Sequence, residues 1–587
     1  MNQLSIKEII TSKNPDFLIG FPSIVKNSIY SFLERLLYIR KVNSFIVEHQ
    51  DKFGLELIDE LFESLDISYI TTNKDRSKIP SEGKILIVAN HPLGGLDGLI
   101  ILKLISEIRS DVKIVANDLL LNIPNISSFF LPYDLLSGKS LRKNYEGITK
   151  SIKNEDAIIL FPAGEVARLT LGGIKDNKWK NGAVYFAEKY QVPVLPVYIK
   201  GRNSILFYLV SIFSKKLSMF LLPHELFNKK EKVFKIKIGN HISPKAFSTK
   251  YQRIDFLTKS LKKHLQLISK GKKGIFETEK NVIPPVFVKD LRKRLFENEY
   301  LGDTSDGKNI FVVDYKNGNE VIREISRLRE ITFRKVGEGT GSKNDSDHFD
   351  KYYKHLVLWD DNRLEIVGSY RLAVGKDILD LKGTSGFYTS TLFDYTDEFI
   401  KLLPHSIELG RSFVQSKYWN SFALDYLWQG IGRFLQLYPE TKYLFGPVSL
   451  SNNYSIEAKN LIVYFYTKWF SNRSNLITSK SPYVITDKSI YEMQEIFSLD
   501  EYDKEFLILK NRLKILGFTI PTLYRQYADL CLQEGVHFLD FNVDSNFQNC
   551  IDALVHVDLS LVKLSKKDRY LTNNFKFTGT NVSMISK

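Results

Sequence analysis

Short runs of consecutive apolar residues alternate with amphipathic stretches through the first half of the chain. Ile85–Ala89 (ILIVA), Val112–Ala116 (VKIVA), Ala157–Phe161 (AIILF) and Val192–Ile199 (VPVLPVYI) are brief, rich in branched residues and nearly free of polar positions. That pattern predicts strands covered on both faces. Between them, Leu99–Ile108 and Asn144–Ile152 repeat their apolar positions at helical spacing. The alternation predicts an α/β domain. The second half mixes both periods, with strands expected at Ile310–Asp314 and Ile366–Leu372 and helices at Val321–Phe333 and Phe422–Tyr438. It is read as α/β or α+β.

At 587 residues the chain exceeds one ordinary core. The run Lys270–Val286 (KGKKGIFETEKNVIPPV) combines glycines, alternating charges and Pro284-Pro285, so it is taken as the boundary between domains 1–280 and 281–587. Charge divides the same way. Residues 1–280 hold 43 Lys+Arg against 28 Asp+Glu, residues 281–587 hold 39 of each, and 201–280 alone hold 18 against 5. A local basic patch implies an anionic partner. No nucleic-acid-binding motif accompanies it, so nucleic acid is set aside. In Gly201–Gly239, apolar blocks Ile205–Val210 and Met219–Leu222 flank Lys215-Lys216, which suits an interfacial segment on an anionic membrane; the alternative is a core helix with a solvated lysine face. The longest uncharged stretch, Leu119–Tyr133, is 15 residues, whereas a spanning helix needs about 20. The first residues lack a secretion-signal pattern. The expected location is therefore cytoplasmic, peripheral on the inner face of the cytoplasmic membrane. Cys531 and Cys550 are expected to be buried, reduced thiols.

The densest chemistry is Ala89–Leu99 (ANHPLGGLDGL), where a buried strand ends in Asn90-His91 and a Pro/Gly turn brings Asp97 back. A carboxylate beside an imidazole fixes its tautomer and raises its basicity, as a general base for hydroxyl attack requires; a histidine satisfied at a strand end is the plainer alternative. Phe161–Arg168 (FPAGEVAR) follows another strand and presents Gly164, Glu165 and Arg168, and VPVLP follows in turn. These three segments, in order over Ile85–Gly201, resemble the glycerolipid acyltransferases of the lysophosphatidic acid type. The resemblance implies that His91 takes a proton from an acceptor hydroxyl as it attacks an acyl thioester. Asp97 would orient His91, Asn90, Gly164 and Glu165 would line the acceptor site, and Arg168 would meet an anionic group. Two departures stand out. Five residues separate His91 from Asp97 where the family has four, and Ala163 replaces the glutamate of Phe-Pro-Glu-Gly-Thr-Arg. The extra glycine can absorb the first change; the second suggests a different acceptor headgroup. No metal is implied, since the 10 histidines show no ligand spacing.

The second half carries Arg329 and Phe333, an acidic stretch with Asp347 and Asp350, Tyr370–Leu372, Glu408–Arg411 (ELGR) and Leu427–Gly430 (LWQG). With Tyr443–Ser455, Ile520–Leu530 and Val536–Phe547, these landmarks resemble the ornithine-lipid N-acyltransferases, relatives of the acyl-homoserine-lactone synthases in the GNAT superfamily. An N-acyltransferase needs a base for the amine proton, and Glu408 is the candidate. Arg411 or Arg329 would bind an amino-acid carboxylate. A polar loop feeding a helix N-terminus, with Lys417, Asn420 and Ser421, would hold the phosphopantetheine phosphate. Gly430-Ile431-Gly432 falls inside a helical pattern and is read as close packing.

O-acyltransferase followed by N-acyltransferase is the order of bifunctional ornithine lipid synthases. The expected fold is therefore a glycerolipid-acyltransferase α/β domain followed by a GNAT-like mixed α/β domain. The resemblance implies acyl carrier protein as the donor and no bound cofactor. Glycine as the acylated amino acid, or a membrane-lytic, hemolysin-like protein, are the alternatives.

Overall fold

The computed structural model describes residues 7, 18, 20–36, 38–116, 123–132, 141–170, 173–213, 218, 221–250, 252–471 and 475–571. They fall into two compact units, Met1–Asn281 and Val282–Lys587.

The first unit is built on a twisted sheet of β1 (Ser68–Ile70), β2 (Ile85–Ala89), β3 (Val112–Ala116), β4 (Phe130–Pro132), β5 (Ala157–Leu160), β6 (Val194–Lys200) and β7 (Val233–Ile238). Their order is β1-β7-β6-β2-β5-β3-β4, extended beside β6 by two-residue strands at His241–Ile242 and Thr278–Glu279. β2 to β6 run parallel, and β7 returns antiparallel to β6. β2 shows why the parallel strands read as continuous apolar runs. Its Ile85, Ile87 and Ala89 enter one core with α1 (Gly95–Ser106). Leu86 and Val88 enter a second core with α2 (Gly182–Lys189) and the long helix Ile254–Ser269. Each such fully buried aliphatic side chain contributes about 1.5–3 kcal/mol.

The segment read as interfacial is a helix, α3 (Ile205–Phe213). Phe207, Tyr208 and Ser211 are buried beneath it, while Ile205, Leu206, Leu209, Ile212 and Phe213 face solvent, Phe213 at 88% exposure. Lys215, Lys216 and Met219 lie outside the described residues. β7 alternates in burial, so Lys235 and Lys237 are on its open face. Lys229 departs from the basic-surface reading: it is buried and paired at 3.0 Å with Glu225, because that carboxylate is itself buried and needs a cation. Among the described residues, no helix is long and apolar enough to cross a membrane.

The second unit carries an eight-stranded sheet: β8 (Glu299–Asp303), β9 (Asn309–Val313), β10 (Lys354–Asp360), β11 (Glu365–Val374), β12 (Ser406–Val414), β13 (Tyr443–Leu450), β14 (Val536–Asp544) and β15 (Cys550–Asp558). The order is β8-β9-β10-β11-β12-β13-β15-β14. Every neighbouring pair is antiparallel except β12 with β13, which are parallel and pair only over Ser406–Glu408 against Tyr443–Phe445. Pro447, which has no N–H to donate, follows the last pair. One sheet face packs on α5 (Ala423–Leu437) and α6 (Ile456–Phe470) in the largest core; α4 (Tyr315–Val336) belongs to a core of its own. A Cβ on Gly432 would lie 1.6 Å from the Tyr570 carbonyl oxygen, so this glycine does mark close packing. Cys531 and Cys550 are buried and unlinked, and burial pushes the Cys531 thiol up to about 12.

Candidate active sites

Loops leaving the carboxyl ends of β2, β5 and β6 meet in the first unit, where open parallel sheets place their sites. Asn90 clamps two strand ends together: its amide nitrogen donates to the Ile199 carbonyl and its oxygen accepts from the Ile199 N–H, both at 2.9 Å. His91 stacks on Phe161, ring centroids 4.3 Å apart, and its Nδ1 lies 3.0 Å from Asp97 Oδ2. The Asp97 side chain is fully buried in the first turn of α1, where its Oδ2 also accepts from the N–H groups of Leu93 and Gly94 at 2.8 and 3.1 Å. Burial pushes the Asp97 carboxyl up, and His91 and the two N–H groups oppose that shift. Gly94 makes the contact possible. Its φ is 92°, and a Cβ there would meet Leu222 Cδ2 at 2.9 Å. The longer His–Asp spacing is thus taken up in a turn that only glycine enters without strain.

Asp176, which the sequence did not single out, holds the histidine loop from the other side. One oxygen accepts from the His91 N–H at 3.2 Å and the other from Trp179 Nε1 at 3.0 Å. Gly164 sits at φ 65° in the β5 loop. Glu165 accepts from Asn177 and lies 3.8 Å from Arg168. Arg168 is 5% exposed, donates to the Ser218 hydroxyl, and rests 5.3 Å from the Phe207 ring centroid. Burial lowers its pKa, partly offset by Glu165, and its Nη2 has no hydrogen-bond acceptor.

In the second unit Arg329 and Arg371, each 1% exposed, share Asp350. Arg371 reaches Asp347 at 2.6 Å, and Arg329 Nε reaches Asp345 at 3.0 Å. Burial would raise Asp350, but Arg329 and Arg371 hold it far below the usual carboxylate range. Arg329 is consumed in this network. Arg411 is not: it is 3.7 Å from Asp345 and 3.9 Å from Asp347, and it lies over the rings of Tyr388 and Phe547. Of the two candidate carboxylate binders, Arg411 has the looser pairing and the more open position.

Glu408 is 1% exposed and caged. One oxygen accepts from the Tyr353 hydroxyl and the Tyr388 N–H, the other from the Thr389 N–H and hydroxyl. Burial raises its pKa against these donors. A substrate proton can reach this carboxylate only if a donor gives way. Lys417 pairs with Glu365 on an exposed turn. Asn420 is exposed, and the Ser421 hydroxyl accepts from the Ala423 N–H at 3.2 Å, just ahead of α5. Among the described residues, no group of three or more His, Cys, Asp or Glu is arranged to hold a metal ion.

A family model described as Acyltransferase matches residues 11–266, and one described as Acetyltransferase (GNAT) domain matches residues 328–429. A glycine N(alpha)-acyltransferase of Bacteroides thetaiotaomicron is 37% identical over 262 residues, 42% of this chain and 77% of that protein. A lyso-glycine lipid O-acyltransferase of the same organism is 28% identical over 251 residues, 42% of this chain and 90% of that protein. A 1-acyl-sn-glycerophosphate (LPA) acyltransferase of Thermotoga maritima, of known structure, is 20% identical, covers 45% of this chain and 88% of its own, and has a TM-score of 0.24. Fold and matches together define an acyltransferase enzyme of two α/β domains. The chain belongs to the acyltransferase family that joins an N-terminal acyltransferase domain to a C-terminal GNAT domain.

Proposed function

We propose that the chain makes a two-chain aminolipid, with the second unit acting first. That unit joins a 3-hydroxyacyl group to the α-amine of an amino acid, ornithine in the favoured reading, and the first unit esterifies the 3-hydroxyl. The observation that carries the O-acyl step is the His91–Asp97 contact at a strand end. His91 takes the hydroxyl proton as the oxygen attacks the thioester carbon, Asp97 faces the imidazolium that results, and the C–S bond breaks as that proton passes to the departing carrier thiolate. Arg168, with an unfilled donor, takes a polar group of the acceptor. In the second unit Arg411 takes the amino-acid carboxylate and Glu408 is the candidate proton acceptor, while the turn at Lys417, Asn420 and Ser421 is the candidate donor-phosphate site.

Acyl carrier protein is the proposed donor, an acidic partner suited to the basic residues of 201–280. The exposed apolar row of α3, together with Lys235 and Lys237 on the open face of β7, supports contact of this segment with an anionic membrane surface. Glycine is the second reading, favoured by the names of two relatives. Mass spectrometry of lipids from a host expressing the chain tests both. A two-chain ornithine lipid supports the proposal, a glycine lipid supports the second reading, and no new aminolipid overturns both.

A further inference from the structure

On the proposed reading of the second unit, we propose that Glu338, Asp544 and Asp552 form a pocket for the side-chain ammonium of a diamino-acid acceptor. In register, Ser449 of β13 and Asn542 of β14 stand opposite Asp552 on β15, and Asp544 stands opposite Cys550. Directly opposed residues share a sheet face, and positions two apart along a strand do too, so Asp552 and Asp544 project to the same side. Glu338 joins them from just beyond α4, where Gly337 turns the chain at φ 84°. The Ser449 hydroxyl donates to Glu338 at 2.9 Å. All three carboxylates are buried, at 8%, 3% and 4% exposure.

Their hydrogen bonding is uneven. Asp544 accepts from the Tyr388 hydroxyl at 3.2 Å and from the Asn546 N–H at 2.8 Å. Asp552 accepts from no donor among the described residues, and no Lys or Arg lies within ion-pair distance of Asp544 or Asp552. Burial and the charges of Asp544 and Glu338 push Asp552 well above the carboxylate range, against Arg411. A buried carboxylate with neither donor nor cation is costly unless a ligand completes it. These carboxylates are not grouped to hold a metal ion. An ammonium offers three N–H donors and a positive charge, both of which Asp552 lacks. The pocket is tied to the reaction site through Tyr388, which donates to Asp544 and lies under Arg411. An amino acid with its carboxylate on Arg411 could send a side-chain ammonium toward the acids. Glycine has no such group.

Isothermal titration of the full-length protein with ornithine and with glycine, in two buffers of different ionisation enthalpy, tests this. Ornithine should bind with proton release, because an arriving cation lowers the raised Asp552 pKa. The release should disappear in Asp552→Asn, and the KM for ornithine in Asp552→Asn and Asp544→Asn should rise about tenfold or more. Equal binding of glycine and ornithine without proton release would overturn the pocket, as would an unchanged ornithine KM in folded variants. An equal loss for glycine would place the reacting amine there instead and overturn the side-chain assignment. A protein that acylates no amino acid would sink the functional reading; the pocket itself stands or falls on the wild-type isotherm.

Discussion

His91 Nδ1 and Asp97 Oδ2 meet at 3.0 Å across five intervening residues, because the turn between them passes through a glycine with positive φ. The carboxylate is fully buried and the imidazole is not, at 0% and 18% side-chain exposure, so only His91 can touch an acceptor. His91→Ala should therefore abolish ester formation and leave amide formation intact. Host lipids should then contain a one-chain 3-hydroxyacyl amide in place of the two-chain product. Asp97→Asn should give a milder loss, since the imidazole remains without its orienting charge. An undiminished two-chain product would end the assignment.

Gly94→Ala tests the turn rather than the chemistry. The substitution puts a Cβ into Leu222 and forces an L-residue to a φ it rarely adopts, at about 1–2 kcal/mol. Thermal unfolding should shift down and ester formation should fall, both by less than if the pair were removed outright. Wild-type activity would mean that the turn can be built another way.

Glu408→Gln separates a base from a cage. Loss of a general base slows transfer by about 10²–10⁴ and removes an ionisation from the pH–rate profile. Loss of the cage lowers the melting temperature, because a neutral amide cannot accept from all four donors. A variant that melts lower yet keeps the wild-type pH profile would take the base role away from Glu408.

Asp552 should leave a signature in stability against pH. Its folded pKa is raised, so the folded state holds a proton that the unfolded state has released. Its contribution is then lost as pH rises from the ordinary carboxylate range toward the folded value. Asp552→Asn should flatten that slope and raise the melting temperature at neutral pH. Asp350, lowered by Arg329 and Arg371, acts with the opposite sign and is untouched in this comparison.

A fragment starting at Val282 should fold and form the amide by itself, since its residues make cores of their own. Circular dichroism and an acylation assay check this; a fragment that stays unfolded would refute it.

Much of this was legible in the sequence, and for identifiable reasons. Strands Ile85–Ala89 and Val112–Ala116 lie where the apolar runs put them, because burial on both faces leaves no room for polar positions. His91 and Asp97 were legible because one turn joins them. Apolar spacing marks the long helix only from Val321, whereas it starts at Tyr315: its first residues are polar, and Gly318 carries non-helical angles. Asp176 was hidden because its role depends on a fold that brings it 85 residues back to His91. The same holds for Glu338 and Asp552, more than 200 residues apart in sequence. Nor does a motif show that Arg329 is spent on Asp345 and Asp350 while Arg411 is held more loosely.

The three-residue pairing of β12 with β13 gives the sheet an internal rim. Beyond Glu408 and Phe445 the ladder between them stops, and Pro447 could not continue it. Rims of this kind normally lie at the outside of a sheet, where they invite another strand. Here the rim lies between two inner strands, each held on its other side, β12 by β11 and β13 by β15. Only this short parallel ladder joins the two halves of the sheet, so the order of its eight strands rests on three residue pairs at one seam.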